Sequence, residues 1–253
     1  MKDGSPKPPA EPTLGPIKRR AMSDTAKQHR RQAILDAALL ALVDTPFEQL
    51  TVAQLAERLG LAKGTLYLYF STKEALFLEI QQQQLALWFD ELESALTSAQ
   101  PATLTPEQLA ELICGTIFKC PLMPRLLTVL HSVLERNITL DQALAFKLFV
   151  LERINRAAAL LEAALPALGT RAAGGSGQGF NLLLALHALV VGSWQMTNYS
   201  AAVEAALATH ADLGAFFVPF EKVLREALRA LITGLAAGQR GGEAGASGPA
   251  GSR

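Results

Sequence analysis

One short stretch of the sequence carries unusual side chains where an exposed helix would normally carry Glu, Lys and Gln. Between residues 63 and 70 the pattern predicts a short helix whose inner face holds Leu66 and Phe70, four residues apart. The opposite face offers a glycine, a hydroxyl, a phenol and a leucine, from Gly64, Thr65, Tyr67 and Leu68. Small residues permit close approach, hydroxyls bond base edges or phosphates, and a leucine can cover a thymine methyl. This face is suited to the major groove of DNA.

Two lysines flank this helix. Lys63 begins it, and Lys73 lies in the first turn of the following helix, which the spacing of Ser71 and Glu74 predicts to open with a capping box. A lysine in a first turn brings its charge and the free backbone N–H groups to the same phosphate. Lys73 is therefore a candidate for a phosphate contact.

The residues before this helix predict how it is positioned. Thr51 and Gln54 have capping-box spacing and begin another short helix. Ala56 permits a close helix crossing, Gly60 stands where a helix end favours a left-handed backbone, and Leu66 packs the second helix on the first. Two short helices joined by a glycine-containing turn predict a helix-turn-helix, although an ordinary helical corner has similar spacing.

Residues 51–76 match the pattern T-V-x-x-L-A-x-x-L-G-L-x-K-G-T-L-Y-x-Y-F-x-x-K-E-A-L almost throughout. On this pattern, the stretch from His29 to about Gln81 resembles the DNA-binding domain of the TetR family of transcriptional regulators, over about a fifth of the chain. The turn at residues 44–47, Asp-Thr-Pro-Phe, departs from the family, which generally has a glycine there; this leaves the local turn geometry open.

The resemblance implies a three-helix DNA-binding domain followed by a larger ligand-binding and dimerisation domain. It also implies that a homodimer reads a palindromic operator. The positions on or beside the recognition helix would be Lys63, Gly64, Thr65, Tyr67, Leu68 and Tyr69. By the same resemblance, Thr51 and Lys73 would meet phosphates.

Apolar residues recur at three- and four-residue spacing through most of the chain, and no convincing period-two alternation appears. The pattern predicts an all-α protein with about nine helices. We divide it into a disordered N-terminal arm (1–25), a helix-turn-helix domain (26–80), a helical ligand-binding and dimerisation domain (81–236) and a disordered tail (237–253). The arm and the tail are rich in Pro, Gly and Ser and offer little to bury.

The charge is unevenly distributed along the chain. Residues 17–73 hold nine Lys and Arg against five Asp and Glu, whereas residues 74–253 hold 12 against 16. The net charge of zero is thus a basic N-terminal part balanced by an acidic remainder, which would attract DNA to one end. Two cysteines and no apolar N-terminal stretch fit a cytoplasmic protein.

The middle helices carry large apolar or amphipathic residues with a few polar ones, as small-molecule sites do. The candidates for such a site are Phe118, Met123, Leu127, His131, Phe146, Phe149, Asn155, Trp194, Gln195, Met196 and Tyr199. An aromatic residue at helical spacing is as readily explained by the core. The expected effector is a small, largely apolar molecule.

The helices near residues 179–199 and 213–236 are where the resemblance places the dimer interface. Residues suited to close packing there are Ala185, Leu186, Leu189, Val190, Gly192 and Ser193, although the subunit's own core explains them equally well. The segment 180–191 is strongly apolar, but Asn181 and His187 interrupt it, so a membrane span is not expected.

No pattern supports catalysis or metal binding, and no cofactor is expected. The four histidines are scattered, and the sequence contains no HExxH, GxSxG or GxxxxGK[ST] motif. Cys114 and Cys120 are best explained as small core residues. The leading hypothesis is a ligand-responsive repressor; the alternatives are an activator, a ligand-independent regulator, or a helical scaffold or enzyme with an incidental helix-turn-helix.

Overall fold

A computed structural model describes the backbone of residues 16–99, 103–130, 133–169 and 177–246, and the side chains of residues 24–99, 103–130, 133–169 and 177–237. Within these ranges the protein contains helices and no strand, which confirms the all-α prediction. The α-helices are α1 (Pro16–Asp44), α2 (Val52–Arg58), α3 (Lys63–Tyr67), α4 (Lys73–Ala99), α5 (Pro106–Phe118), α6 (Leu122–Leu130), α7 (Leu140–Ala164), α8 (Gln178–Thr197), α9 (Ala201–Thr209) and α10 (Phe220–Ala246). Short 3-10 segments lie at Phe47–Gln49, Leu134–Arg136, Pro166–Leu168 and Ala211–Phe216.

The described chain has ten α-helices, one more than the nine that periodicity suggested. The additional helix is α9, which buries none of its residues and therefore has no apolar stripe to reveal it. It forms because its alanines have the highest helix propensity and because the Ser200 hydroxyl caps its first turn, accepting from the Val203 N–H at 3.4 Å.

Two helices extend beyond the limits expected from composition. α1 begins at Pro16, inside the predicted arm, and α10 continues to Ala246, inside the predicted tail. Once a packed segment has nucleated a helix, each added residue gains a hydrogen bond at low cost, so flanking residues can join it. Residues 1–15 and 247–253 lie outside the described part of the chain.

The chain divides between Tyr69 and Phe70 into two compact units. The first contains α1, α2 and α3. The inner face of α1 buries Ile34, Leu35, Ala38 and Leu42, and the 3-10 segment after it buries Phe47. Phe47 therefore packs inward although the turn before it lacks the family's glycine.

The turn between α2 and α3 is closed by two backbone hydrogen bonds. The Leu61 N–H donates to the Ala56 carbonyl at 2.8 Å, and the Gly60 N–H donates to the Glu57 carbonyl at 3.0 Å. This is a Schellman motif, and its left-handed residue is Gly60, with φ of 62°. The predicted turn glycine is thus required by backbone conformation.

In the second unit, α4 and α7 lie side by side. Arg153 of α7 pairs with Asp90 at 2.6 Å and with Glu93 at 3.0 Å, and Arg156 pairs with Glu93 at 2.7 Å. Because both helices advance by three residues between these contacts, α4 and α7 run parallel. The predicted boundary at residue 80 falls inside α4, which is continuous from Lys73 to Ala99.

The start of α4 is capped one residue later than predicted. The Thr72 hydroxyl, rather than that of Ser71, accepts from the Ala75 N–H at 2.9 Å. The same hydroxyl donates to the Asn137 carbonyl at 3.1 Å, which follows the 3-10 segment Leu134–Arg136. A long-range partner thus favours Thr72 over its neighbour.

α8 approaches α7 closely at a glycine. A Cβ atom at Gly179 would lie 2.5 Å from the Ala158 carbonyl oxygen, so no larger residue fits without backbone movement. The Gly179 N–H also donates to the Glu162 carboxylate at 3.0 Å. A negative charge at a helix N-terminus is stabilising, so α7 supplies the cap that the local sequence of α8 lacks.

α10 buries one stripe of residues, whereas α8 is apolar along most of its length. α10 buries Leu224, Leu228, Ile232 and Ala236, a single stripe of four-residue spacing. α8 is long and apolar enough to cross a membrane by length and composition alone, a test that core helices also pass. Here α8 packs against α6, α7 and α10, and 33% of its most apolar window is buried.

We expect Gly60→Ala to destabilise the first unit by about 1 to 2 kcal/mol, because an L-residue is strained in the left-handed region. Urea unfolding followed by far-UV circular dichroism measures this change. Gly64→Ala is the matched control: Gly64 is helical and a Cβ there meets nothing within 4 Å, so stability should be unchanged or should rise by up to about 1 kcal/mol. Equal losses of stability in Gly60→Ala and Gly64→Ala would contradict the conclusion that the turn requires a left-handed residue at Gly60.

Candidate functional site

The structure positions α3 through one buried residue. Leu66 is 1% exposed, and Phe70 beyond the helix is also buried. α3 ends at Tyr67, three residues earlier than predicted. Leu68 and Tyr69 continue it as a tightened turn, with N–H donors to the carbonyls of Thr65 and Leu66 at 3.2 and 3.0 Å.

The outer face of α3 is open, as the sequence predicts. Lys63 and Gly64 are exposed, Tyr67 is 44% exposed, and Leu68 is 78% exposed. Isolated surface leucines are ordinary, but this one directly follows a five-residue helix that exposes a phenol and a glycine. These four residues form a surface that a partner can approach closely at Gly64. The other three residues offer an ammonium group, a phenol and an apolar side chain for contact.

Gly64 has no role in packing that the described residues reveal. A Cβ atom there would meet nothing within 4 Å, and its backbone does not have positive φ. A glycine inside a helix costs about 0.5 to 1 kcal/mol relative to alanine. Because the protein's own fold does not need this glycine, the close approach of something outside the chain is the better explanation.

Thr65 and Tyr69 are half-buried at the edges of this face. The Tyr69 carbonyl accepts a 2.7 Å hydrogen bond from the Arg31 guanidinium, which connects the end of α3 to α1. A charge-assisted bond of this length is among the stronger kinds. This hydrogen bond holds the end of the α3 turn against α1. No pattern in the sequence predicted it, because Arg31 and Tyr69 are 38 residues apart.

Thr51 forms a complete capping box at the start of α2. Its hydroxyl accepts from the Gln54 N–H at 3.2 Å, and its own N–H donates to Gln54 Oε1 at 2.9 Å. The backbone donor at Thr51 is thus occupied. The phosphate contact that the resemblance implies for the Thr51 side chain stays a prediction.

Lys73 is the first residue of α4 and belongs to the second unit. Its place in the first turn agrees with the sequence prediction. The first turn also contains Glu74. The phosphate contact expected of Lys73 stays a prediction as well.

The second unit contains a cavity of about 300 Å³ among α4, α5, α6, α7 and α8. Met123 and Leu127, from the predicted ligand set, line it, as does Phe146. The other lining residues are Leu85, Trp88, Phe89, Ile117, Leu130, Lys147, Val150, Leu151, Ile154, Phe180, Leu183, Leu184, Leu186, His187 and Val190. The volume is at the small end of the range for ligand sites.

Several predicted ligand residues pack elsewhere. Phe118 and Trp194 both meet the Phe220 ring edge-on, at centroid distances of 6.2 and 5.4 Å. The Tyr199 hydroxyl donates to the Phe216 carbonyl at 2.7 Å. These three residues hold the start of α10 and the segment before it rather than lining the cavity.

The polar and remaining predicted residues also lie off the cavity. Asn155, Gln195 and Met196 are exposed, and Phe149 is half-buried on a face of α7 away from the lining positions. His131 lies outside the described residues. The packing of α4 and α8 against α7 determines which residues of α7 face the cavity. The composition of α7 does not show which face that is.

The largest group of lining residues missed by the sequence analysis comes from α4 and α8. Leu85, Trp88 and Phe89 have the spacing of a helical face, but a core stripe has the same spacing. The Trp88 indole N–H donates to the Thr116 hydroxyl at 3.1 Å, so its polar atom is satisfied inside the protein. Its ring is left as an apolar wall.

The two cysteines are free, and only Cys114 is buried. Burial raises the pKa of the Cys114 thiol to about 11. Burial, with a smaller contribution from the nearby Glu91 carboxylate, also raises the pKa of Cys120. Neither thiol has the lowered pKa of a reactive cysteine, and the described residues contain no group of three or more His, Cys, Asp or Glu that could hold a metal ion.

Comparison with known proteins adds the following findings. Residues 34–80 match the family described as "Bacterial regulatory proteins, tetR family". Residues 82–239 match "Tetracyclin repressor-like, C-terminal domain". Together the two matches span both units.

Similar individual proteins are bacterial regulators. The HTH-type transcriptional regulator RutR of Escherichia coli is 30% identical over 97 residues, 38% of this chain and 46% of RutR. The fatty acid metabolism regulator protein of Bacillus subtilis is 28% identical over 67 residues, 26% of this chain and 34% of that protein. The chain thus aligns with less than half the length of these relatives. The structure of the fatty acid degradation regulator FadR from Bacillus halodurans has a TM-score of 0.45 and 19% identity, covering 77% of this chain and 94% of that one.

Proposed function

Because the chain belongs to the TetR family of transcriptional regulators, we propose that it is a ligand-responsive repressor that binds a palindromic operator as a homodimer. The family consists of DNA-binding transcription factors rather than enzymes, so a catalytic role for the helical scaffold is set aside. The observation that carries the proposal is the open face of α3, where Gly64, Tyr67 and Leu68 are exposed on a helix anchored by Leu66.

The proposed DNA contacts divide into two kinds. Tyr67 and Leu68, with Thr65 at the edge, would contact base edges in the major groove and carry sequence preference. Lys63, Lys73 and the capped start of α2 at Thr51 would hold phosphates and carry affinity. Tyr69 would act at the border of the interface, since its carbonyl is already bonded to Arg31.

The homodimer would form through α8 and α10. α8 is strongly apolar, yet only 33% of its most apolar window is buried within one chain, and Leu184 is 51% exposed. A Cβ at Gly192 or Gly234 would meet nothing within 4 Å, which leaves room for close helix approach. Leu186, Val190 and Ser193, which sequence alone could equally assign to interface or core, are buried within the single chain.

The effector would be a small, largely apolar molecule in the cavity of the second unit. Release from DNA requires that this molecule bind the DNA-incompetent conformation more tightly, because only differential affinity shifts an equilibrium. An activator, or a regulator without a ligand, would use the same DNA interface. The proposed site of action is the cytoplasm.

Selection from a random pool of duplex DNA at low salt tests the proposal. We expect enrichment of a palindrome with half-sites about one helical turn apart, because two symmetry-related recognition helices read it. Enrichment of no palindrome would refute the dimeric DNA-binding function. The enriched site then serves as the operator in the measurements below.

Gly64→Ala should weaken operator binding by about tenfold while leaving the fold intact, because an added methyl group obstructs close approach to the groove. Fluorescence anisotropy with labelled operator measures the affinity. Gly115→Ala is the matched control, since Gly115 is an exposed helical glycine in the second unit whose Cβ position is also open. Unchanged affinity in Gly64→Ala would contradict the close approach.

Lys73→Ala should weaken binding to all DNA sequences and flatten the slope of log affinity against log salt by about one unit, as expected for one lost phosphate contact. Tyr67→Ala should instead change which bases are enriched and leave the salt slope nearly unchanged. Lys222→Ala, at an exposed lysine of α10, is the control for total charge. If Lys73→Ala and Lys222→Ala had the same salt slope, the proposal that Lys73 contacts a phosphate would be wrong.

A further inference from the structure

The described lining of the cavity in the second unit contains basic residues but no acidic ones. Its described lining residues are apolar or aromatic except for Lys147 and His187, and none of them is acidic. The lining therefore offers hydrogen-bond donors and a positive charge, but no carboxylate that could pair with a cationic ligand.

The exposed lining residues of the cavity lie on α7 and α8, and Lys147 is one of them. Most lining residues are buried or half-buried, but Lys147, Leu151 and Leu184 are exposed. Lys147 is thus both a lining residue of the apolar cavity and exposed to solvent. An ion in such a position can keep part of its hydration while it pairs with a ligand.

Lys147 and His187, the two polar lining residues, stand at similar levels along α7 and α8 when residues are counted from the contact between the two helices. α7 and α8 are antiparallel neighbours that come closest at Ala158 and Gly179. Eleven residues back from Ala158 is Lys147, and eleven residues on from Gly179 is Val190, so His187 lies about one helical turn from the level of Lys147. Ile154 and Phe180, which line the cavity closer to that contact, are apolar.

Lys147 already pairs with a carboxylate in this structure. Its Nζ lies 2.6 Å from Glu135 Oε1, and Glu135 does not line the cavity. The lysine side chain is 54% exposed and that of Glu135 is 23% exposed, so solvent screens the pair in part and a ligand carboxylate can compete with Glu135 for the lysine. Lys147 is thus a cation in the cavity lining, and its partner Glu135 lies outside that lining.

On the basis of the proposed function, we propose that the effector is an apolar carboxylate whose charged end replaces Glu135 as the partner of Lys147 while its apolar body fills the cavity. A cavity of about 300 Å³ equals the liquid volume of about ten water molecules. The apolar body should therefore contain on the order of ten non-hydrogen atoms.

Replacement of Glu135 has a structural route to the start of α4. Glu135 belongs to the 3-10 segment Leu134–Arg136, and the Asn137 carbonyl that follows accepts from the Thr72 hydroxyl. Thr72 caps α4, which begins at Lys73. A ligand that takes Lys147 from Glu135 therefore acts on a segment bonded to the first turn of α4, where one of the proposed phosphate contacts originates.

The test compares decanoate with 1-decanol, two probes with the same alkyl chain that differ in charge. Isothermal titration calorimetry on the full chain should show decanoate binding about tenfold more tightly than decanol, because a charge-assisted contact is added. Lys147→Met should abolish this preference, so that the two probes bind with similar affinity. Glu135→Gln should tighten decanoate binding severalfold, since the competing carboxylate is removed, without changing decanol binding.

Lys119→Met is the matched control, because Lys119 is an exposed lysine paired with Glu91 and does not line the cavity. It should leave both probes unaffected. Decanoate should also weaken operator binding by the wild-type chain and not by Lys147→Met. Equal binding of the two probes, binding of neither, or a carboxylate preference that survives Lys147→Met would overturn the inference.

The two levels of the proposal fail separately. If operator selection succeeds but decanoate shows no preference, the DNA-binding function stands and the carboxylate effector is wrong. If operator selection fails, the proposed function is wrong whatever the calorimetry shows. A decanoate preference without any effect on operator affinity would retain the site and overturn its regulatory role.

Discussion

The second unit depends on the ion pairs that hold α7 parallel to α4. Arg153, with 11% of its side chain exposed, pairs with Asp90 and with Glu93, whose own side chain is 13% exposed. Charges this far from solvent are costly to leave unpaired, so the pairing fixes the relative position of the two helices. That position determines which face of α7 is turned to the interior. Phe146, Val150 and Ile154 line the cavity as a consequence.

The first unit is organised around backbone geometry. Gly60 adopts a left-handed conformation that ends α2, and the turn it closes sets the direction of α3. Leu66 then fills the interior from one side of α3, which leaves the other side to whatever approaches from outside. The groups on that open side are small, hydroxylated or apolar rather than highly charged. In the proposed function, the basic surplus of residues 17–73 would supply attraction to DNA, while these groups would supply recognition.

The accuracy of the sequence predictions followed the range of the interactions involved. The capping box of Thr51 and Gln54, the left-handed Gly60 and the inward Leu66 were predicted because each depends on residues a few positions away. The cap of α4 was misplaced by one residue because the carbonyl that bonds Thr72 comes from Asn137. α9 was missed because it buries nothing. Phe118 and Trp194, two candidates for a ligand site, pack on Phe220 and do not line the cavity, and a role for them in ligand binding stays a prediction.

By itself, the sequence determined the helical class, the helix-turn-helix and the residues of its open face, because helix periodicity, capping and glycine conformation are local properties. Only the tertiary structure decided the location of the cavity, its lining from α4 and α8, and the pairing of Lys147 with Glu135. These features depend on which faces of distant helices meet. Many apolar residues in this chain have the spacing of a buried stripe, and such a stripe faces either a filled core or an empty space. The packing of neighbouring helices makes that choice, and no local pattern encodes it.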